Sequence, residues 1–369
     1  MKIISVSALA VASIATGAAA GGIDRSGQGI GIIFEDSNYV ELSFGTVSPD
    51  ISGVDEVAFG SSPIANVAPD YTQLSLGLKV QVNEKNAISL IVDQPFGAKL
   101  DYPTTSVALG STTVDASSTA VTAILRHQLN DRVSLHGGVR VQTASGMIGL
   151  SGAAYGGFSG YNVDLSADTS IGYVIGAAYE IPDIALRVAL TYNSAVTHQM
   201  DTVEMLGAAT IGTGVTEVQT PHSVNIDFQS GVAADTLVFG SIRWAEWSTF
   251  LLEPATFTVM SGSGLIDLDD VWTYKLGVGR KFSDTWSGAV SVTYEPAGDD
   301  LVSPLSPTNG RLGATLAGIY TSGHMKISTG INYTKIGDAN PETGTPDTSR
   351  AILTGNSVWG VGVKIGYSF

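Results

Sequence analysis

The sequence has no cysteine, little charge and no long apolar run beyond its first twenty residues, and each absence removes a class of protein. Without Cys in 369 residues, the chain is not a disulfide-built scaffold, and it could cross an oxidising periplasm without needing bridges. Charged residues make up only 14% of the chain, yet the balance is −16, which argues against nucleic acid as a partner. The 44 glycines and 44% hydrophobic content do not fit a disordered chain. Beyond the N-terminus no window holds the ~18 uninterrupted apolar residues that a membrane-crossing helix needs. A β-barrel passes that test unseen, because only every second residue of its strands faces lipid.

What is present starts with an export signal. Lys2 is followed by an apolar run from Ile3 to Ile14 and then by Ala18, Ala19 and Ala20. This predicts a signal peptide over residues 1–20, with cleavage after Ala20. Residues 21–38 are glycine-rich and do not alternate. The spacing of Gly27, Gly29 and Gly31 is compatible with a phosphate loop, but no strand precedes it and no helical pattern follows. Ahead of a barrel, such a segment is expected to fold back into the lumen as a short plug.

Residues 39–369 then repeat one theme. About fourteen stretches alternate apolar and polar residues with the period of two that a half-buried strand requires. The last is the clearest: Trp359, Val361, Val363, Ile365, Tyr367 and Phe369 share one face, and glycine, Lys364 and Ser368 share the other. Its apolar face carries aromatics at both ends of an aliphatic band, as outer-membrane barrels do. The terminal Phe369 resembles the signal read by the barrel assembly machinery. Short turns such as Asn83-Glu84-Lys85 alternate with long connections such as 143–167 and 194–216, the pattern of periplasmic turns and outer loops. Charge supplies an independent test, since Arg or Lys facing lipid at the midplane costs roughly 2–4 kcal/mol. Lys79, Arg140, Arg187, Arg243, Lys275, Lys326 and Lys364 all fall opposite the aliphatic face of their strands. Arg280 is the exception, near the periplasmic end of its strand. The predicted fold is therefore an all-β transmembrane antiparallel barrel of about fourteen strands in the bacterial outer membrane.

Within it, Arg140, Arg243 and Lys275 face the lumen at mid-height or above and could hold a carboxylate by charge-assisted hydrogen bonds; polar partners such as Asp227 could equally occupy them. The long connections 143–167 and 194–216 are rich in apolar residues, among them Met147, Phe158, Met205 and Leu206. Exposed apolar patches commonly mark a ligand or contact site, and packing of the two loops on each other is the alternative. Asp201 and Glu204 form a plausible capping box ahead of a short helix reaching Ala209. Acidic residues in later loops, including Glu253, Asp269, Asp270, Glu295 and Asp299, are expected to form a solvated surface facing outer-membrane lipids and lipopolysaccharide. No metal site, cofactor or catalytic constellation stands out: the five histidines have no recognisable nucleophile motif beside them, which argues against an enzyme such as a lipid hydrolase.

One run carries a resemblance. Ile91-Val92-Asp93-Gln94-Pro95-Phe96-Gly97 resembles the Pro-Phe-Gly signature of the FadL/TodX-type outer-membrane transporters of long-chain fatty acids and aromatic hydrocarbons. Arg187–His198, Arg243–Phe250 (RWAEWSTF) and Tyr274–Pro296 extend the resemblance over most of the mature chain. It implies fourteen strands, an N-terminal hatch in the lumen, capture of a hydrophobic substrate near the third and fourth long loops, and lateral release where the third strand kinks at Pro95, Phe96 and Gly97. Pro95 lacks a ladder donor and Gly97 weakens pairing, so a distorted strand is expected there. The family's Asn-Pro-Ala motif near the N-terminus is missing, and the hatch is short. The leading functional expectation is transport of hydrophobic or amphipathic small molecules, with long-chain fatty acids as the first class. A general diffusion porin is the alternative.

Overall fold

A computed structural model describes residues 23–369, so the expected signal peptide lies outside the described residues. Fourteen antiparallel strands follow in chain order: β1 (Tyr39–Asp50), β2 (Tyr71–Gln81), β3 (Asn86–Asp93, resuming at Gly97–Asp101), β4 (Thr113–Gln128), β5 (Val133–Leu150), β6 (Tyr161–Ile181) and β7 (Leu186–Asn193, resuming at Val196–Leu206). They continue as β8 (Ala209–Thr220, resuming at Ser223–Ala233), β9 (Thr236–Ala245), β10 (Val271–Lys281), β11 (Trp286–Glu295), β12 (Arg311–Ser322), β13 (Met325–Ile336) and β14 (Ser357–Ser368). Each pairs with its neighbours in sequence, and β14 returns to pair with β1 from Tyr39↔Ser368 to Asp50↔Ser357. That last pairing closes the barrel, so neither the first nor the last strand is left as a free edge.

The alternation read from the sequence is a real division between lipid and lumen. Leu42, Phe44, Leu76, Leu190, Leu276, Leu316 and Val363 are exposed on the outer wall, while Lys79, Arg140, Arg243 and Lys364 are buried inside. Trp272, Tyr333 and Trp359 ring the wall above, and Phe282, Trp286, Tyr367 and Phe369 ring it below. From Trp272 to Phe282, a rise of about 3.3 Å per residue and a tilt of about 40° cover about 25 Å, the height of an outer-membrane apolar band. Arg280 points outward near the lower ring and donates to Thr236 Oγ1 at 2.8 Å. At that depth the lipid-facing charge costs only about 0–1 kcal/mol. Arg280→Leu should therefore change stability in lipid vesicles by no more than about 1 kcal/mol in urea titrations; a larger gain would place Arg280 deeper than the ring does.

Strands β5 to β8 continue above the membrane, where the sequence had suggested loops. Below this extension, Ile171, Tyr173, Ile175 and Leu190 face lipid. Within it, Asn162, Asp164, Thr197, Gln199 and Asp201 face outward, and Tyr161, Val163, Leu165 and Met200 are buried inside. The polarity of the wall inverts because water, not lipid, now lies outside it. A register shift between Ala144 and Gly146 and the interruptions of β7 and β8 fall at this transition. The helix expected through 201–209 is not formed: Val196–Leu206 pairs with Ala209–Thr220 as a hairpin.

Candidate functional site

Residues 23–38 run among inward-facing side chains rather than outside the wall. A 3₁₀ turn, Gly31–Phe34, buries Ile32, Ile33 and Phe34 against Ile91, Ile124, Ala178 and Ala189 of the barrel wall. The guanidinium groups of Arg126 and Arg187 lie 4.8 and 4.4 Å from the Phe34 ring centroid, a cation–π contact from two strands. Glu35 pairs with Lys326 at 3.2 Å, and the Glu35 carbonyl accepts from Lys79. At the other end of the segment Asp24 is fully buried and pairs with Arg243, whose Nε donates to Asp24 Oδ2 at 2.7 Å. Arg243 also donates to Ser223 Oγ at 2.9 Å, Asn225 Oδ1 at 2.8 Å and Gln28 Oε1 at 3.2 Å.

The segment meets the wall most closely where β3 is interrupted. Ladder pairing between β2 and β3 runs from Gln81↔Ala87 only as far as Leu76↔Val92, so residues 71–75 of β2 have no ladder partner on that side. Beyond Asp93 the backbone of β3 turns instead to the N-terminal segment: Arg25 N donates to Pro95 O and Gly97 N donates to Ile23 O, both at 2.8 Å. Pro95 has no N–H to lose by leaving the ladder. Gly97 admits a close neighbour, since a Cβ there would lie 2.7 Å from Arg25 Cζ. The Arg25 side chain crosses the inner side of the gap, donating to Gly97 O at 3.0 Å and lying 4.3 Å over the Tyr71 ring of β2. On the outer side Gln94 Oε1 accepts from Leu74 N at 3.2 Å, replacing a missing ladder bond with a side chain.

A cavity of about 280 Å³ connects these parts. Gly29–Ile32 of the N-terminal segment, Asp227, Arg243, Lys275 and Lys364 line it centrally, and Leu74 and Gln94 line it beside the gap. Of the three sequence-predicted cations, Arg243 and Lys275 meet here; Lys364 joins them and pairs with Glu41 at 3.2 Å. Arg140 stands apart in the wall, donating to Thr122 Oγ1 at 3.0 Å and Asn193 Oδ1 at 3.1 Å.

Above the cavity the outer segments pack into a hydrophobic cap. Phe96 sits in it, with the fully buried Trp247 edge-on at 5.4 Å. Phe158 faces Phe257 at 5.1 Å, and Leu206 packs on the same cluster. Met205 is half-buried beside it near the hairpin tip, whereas Met147 is exposed on the outer face of β5. The apolar residues of 143–167 and 194–216 are thus largely internal packing, and only part of the expected patch is a surface. Glu295, expected in the solvated acidic surface, is buried and pairs with Arg311 at 3.2 Å. Glu342, in the connection from β13 to β14, is pushed up to about 7, first by burial and then by Asp347, against the pull of Arg350.

Sequence reasoning missed Asp24, Arg25, Gln94 and Trp247. Their partners are distant in the chain; the local hints were one acid and one base together in a glycine-rich stretch and, for Gln94 and Trp247, a place in the runs that carry the resemblance.

Residues 36–369 match the family described as outer membrane protein transport protein (OMPP1/FadL/TodX). No curated protein sequence matches the chain significantly. Among solved structures, a Pseudomonas aeruginosa FadL homologue shares 16% identity with a TM-score of 0.71 and 92% of each chain covered. The Pseudomonas putida toluene transporter TodX shares 14% identity with a TM-score of 0.64 over 90% of each chain. The Ralstonia pickettii toluene transporter TbuX shares 13% with a TM-score of 0.62, covering 91% of this chain and 90% of its own.

Proposed function

This chain belongs to the OMPP1/FadL/TodX family of outer-membrane transport proteins, and we propose that it carries hydrophobic or amphipathic small molecules, long-chain fatty acids first among them. Substrate is captured at the cap, passes to the cavity around Lys275 and Arg243, and leaves sideways between β2 and β3. Residues 23–38 act as the plug that keeps the lumen from being a water-filled pipe. The observation that carries this reading is the parting of β3 from β2 beside a cavity that reaches Gln94 and Leu74. A hydrophobic molecule gains by entering lipid at mid-wall rather than the aqueous periplasm. The cavity sets its bases beside acids such as Asp227 and Glu41, and a substrate carboxylate that displaced one of these acids would gain charge-assisted hydrogen bonds that a plain hydrocarbon cannot make.

Planar-bilayer recording with parallel uptake assays tests the proposal. The purified barrel should show no large steady open-pore current, and cells expressing it should take up oleate faster than toluene relative to a vector control. A large steady conductance would favour the diffusion porin. Uptake of toluene alone would keep the transporter and remove the fatty-acid assignment.

A further inference from the structure

The connection between β9 and β10, residues 246–270, lies across the barrel mouth and is fastened at two places. At one end Trp247 packs against Phe96, directly at the interruption of β3. At the other, a short helix, α1 (Ala255–Ser261), sits on the β7–β8 hairpin so closely that a Cβ on Gly212 would fall 2.0 Å from Thr256 Oγ1. The polar fastening of α1 is a buried carboxylate. Glu204 on β7 is 2% exposed and accepts from Thr256 N at 2.8 Å, Phe257 N at 2.7 Å and the Tyr161 hydroxyl at 2.9 Å. Phe257 enters between Phe158 and Tyr161, with ring centroids at 5.1 and 4.8 Å. By contrast the outer face of α1 is uncovered: Val259 is 85% and Met260 50% exposed. Leu265 N donates to Leu252 O at 2.8 Å, which draws the ends of the helical part together into a compact loop that can move as one piece.

We propose that residues 246–270 are a lid over the hydrophobic cap, that Glu204 is the latch holding it shut, and that substrate passes only when the lid lifts. Glu204 is a positioning residue: it fixes α1 through backbone N–H groups and Tyr161, and it need not touch the substrate. Raising α1 withdraws Phe257 from the Phe158–Tyr161 slot and exposes apolar surface to an incoming alkyl or aromatic group. Trp247 belongs to the same connection, so lid motion also bears on Phe96 and the side gap. This inference rests on the transport reading for its purpose, but the lid itself has a readout independent of transport.

Because the chain has no cysteine, Gly212→Cys with Thr256→Cys gives a sole thiol pair within reach of a disulfide. Oxidised, this variant should lose at least about tenfold in oleate uptake and regain it with reductant. The second variant, Glu204→Ala, is made with a reporter, Val163→Cys, at a position with 0% exposure beneath the cap. Extracellular maleimide should label that cysteine about tenfold faster than in the Glu204 parent, with the barrel still heat-modifiable on gels. Equal uptake by oxidised and reduced protein would overturn the lid. Should the thiol pair not fold, unchanged labelling in Glu204→Ala would overturn it instead. Accelerated labelling alongside no hydrophobic uptake by any variant or parent would keep the lid and reject the transport reading.

Discussion

Arg243→Ala should release the N-terminal segment from the lumen. The guanidinium is 7% exposed and its partner Asp24 is 0% exposed, so the substitution leaves a carboxylate buried with its main counter-charge gone. Breaking such a pair from one side typically costs about 3–5 kcal/mol, or about two to four orders of magnitude in the docking equilibrium. Asp24 keeps the Gly27 N–H at 3.1 Å, and Gln28, Ser223 and Asn225 lose their shared donor. Trypsin supplies the measurement, because Arg25 lies within the segment and is buried at 9% exposure. Cleavage after Arg25 in purified protein should accelerate by about two orders of magnitude in Arg243→Ala. The double variant with Asp24→Ala should recover part of the protection, since it removes both charges together. Unchanged cleavage in the single variant would mean that the other contacts, Phe34 with its cations, Glu35 with Lys326 and the backbone bonds to β3, hold the segment without Arg243.

The barrel was legible in the sequence because lipid imposes a rule that each strand must obey by itself. A basic residue at mid-wall must face inward, and Lys79, Arg243 and Lys364 do so without reference to any distant neighbour. The extension above the membrane was not legible, because the same alternation there has its apolar side inward; the connections 143–167 and 194–216, which hold Tyr161, Val163 and Met200, read as outer loops until the cap is seen against them. Glu204 shows the limit most clearly. Its sequence context suggested capping of the helix that would follow it, whereas it caps α1, beginning 52 residues beyond at Thr256 N. Side chains that cap choose the nearest free N–H groups in space, and local spacing predicts only those nearest in sequence. The same holds for Arg243, whose buried partner Asp24 lies 219 residues away.

The side gap leads to the second large effect. If substrate leaves between β2 and β3, repairing the ladder should slow it. Pro95→Val supplies the missing N–H and a residue suited to a regular strand. One regained ladder bond contributes roughly 1 kcal/mol, which lowers the open fraction, and hence oleate uptake, by about fivefold. Gly97 should stay unchanged in this test, because a valine there would collide with the Arg25 guanidinium and disturb the segment rather than mend the strand. Ser75→Trp, on the inward face of β2 where the cavity meets the gap, adds a block without altering the backbone and should reduce uptake by about tenfold or more. Arg25→Ala should act in the opposite sense, since it removes the side chain that crosses from Gly97 O to the Tyr71 ring. A straight lumenal route predicts another pattern: Pro95→Val and Ser75→Trp leave uptake near that of the parent, and deletion of residues 22–31 raises it. Equal uptake by Pro95→Val, Ser75→Trp and the parent, at matched outer-membrane levels, would rule out lateral release while leaving capture and the central cavity intact.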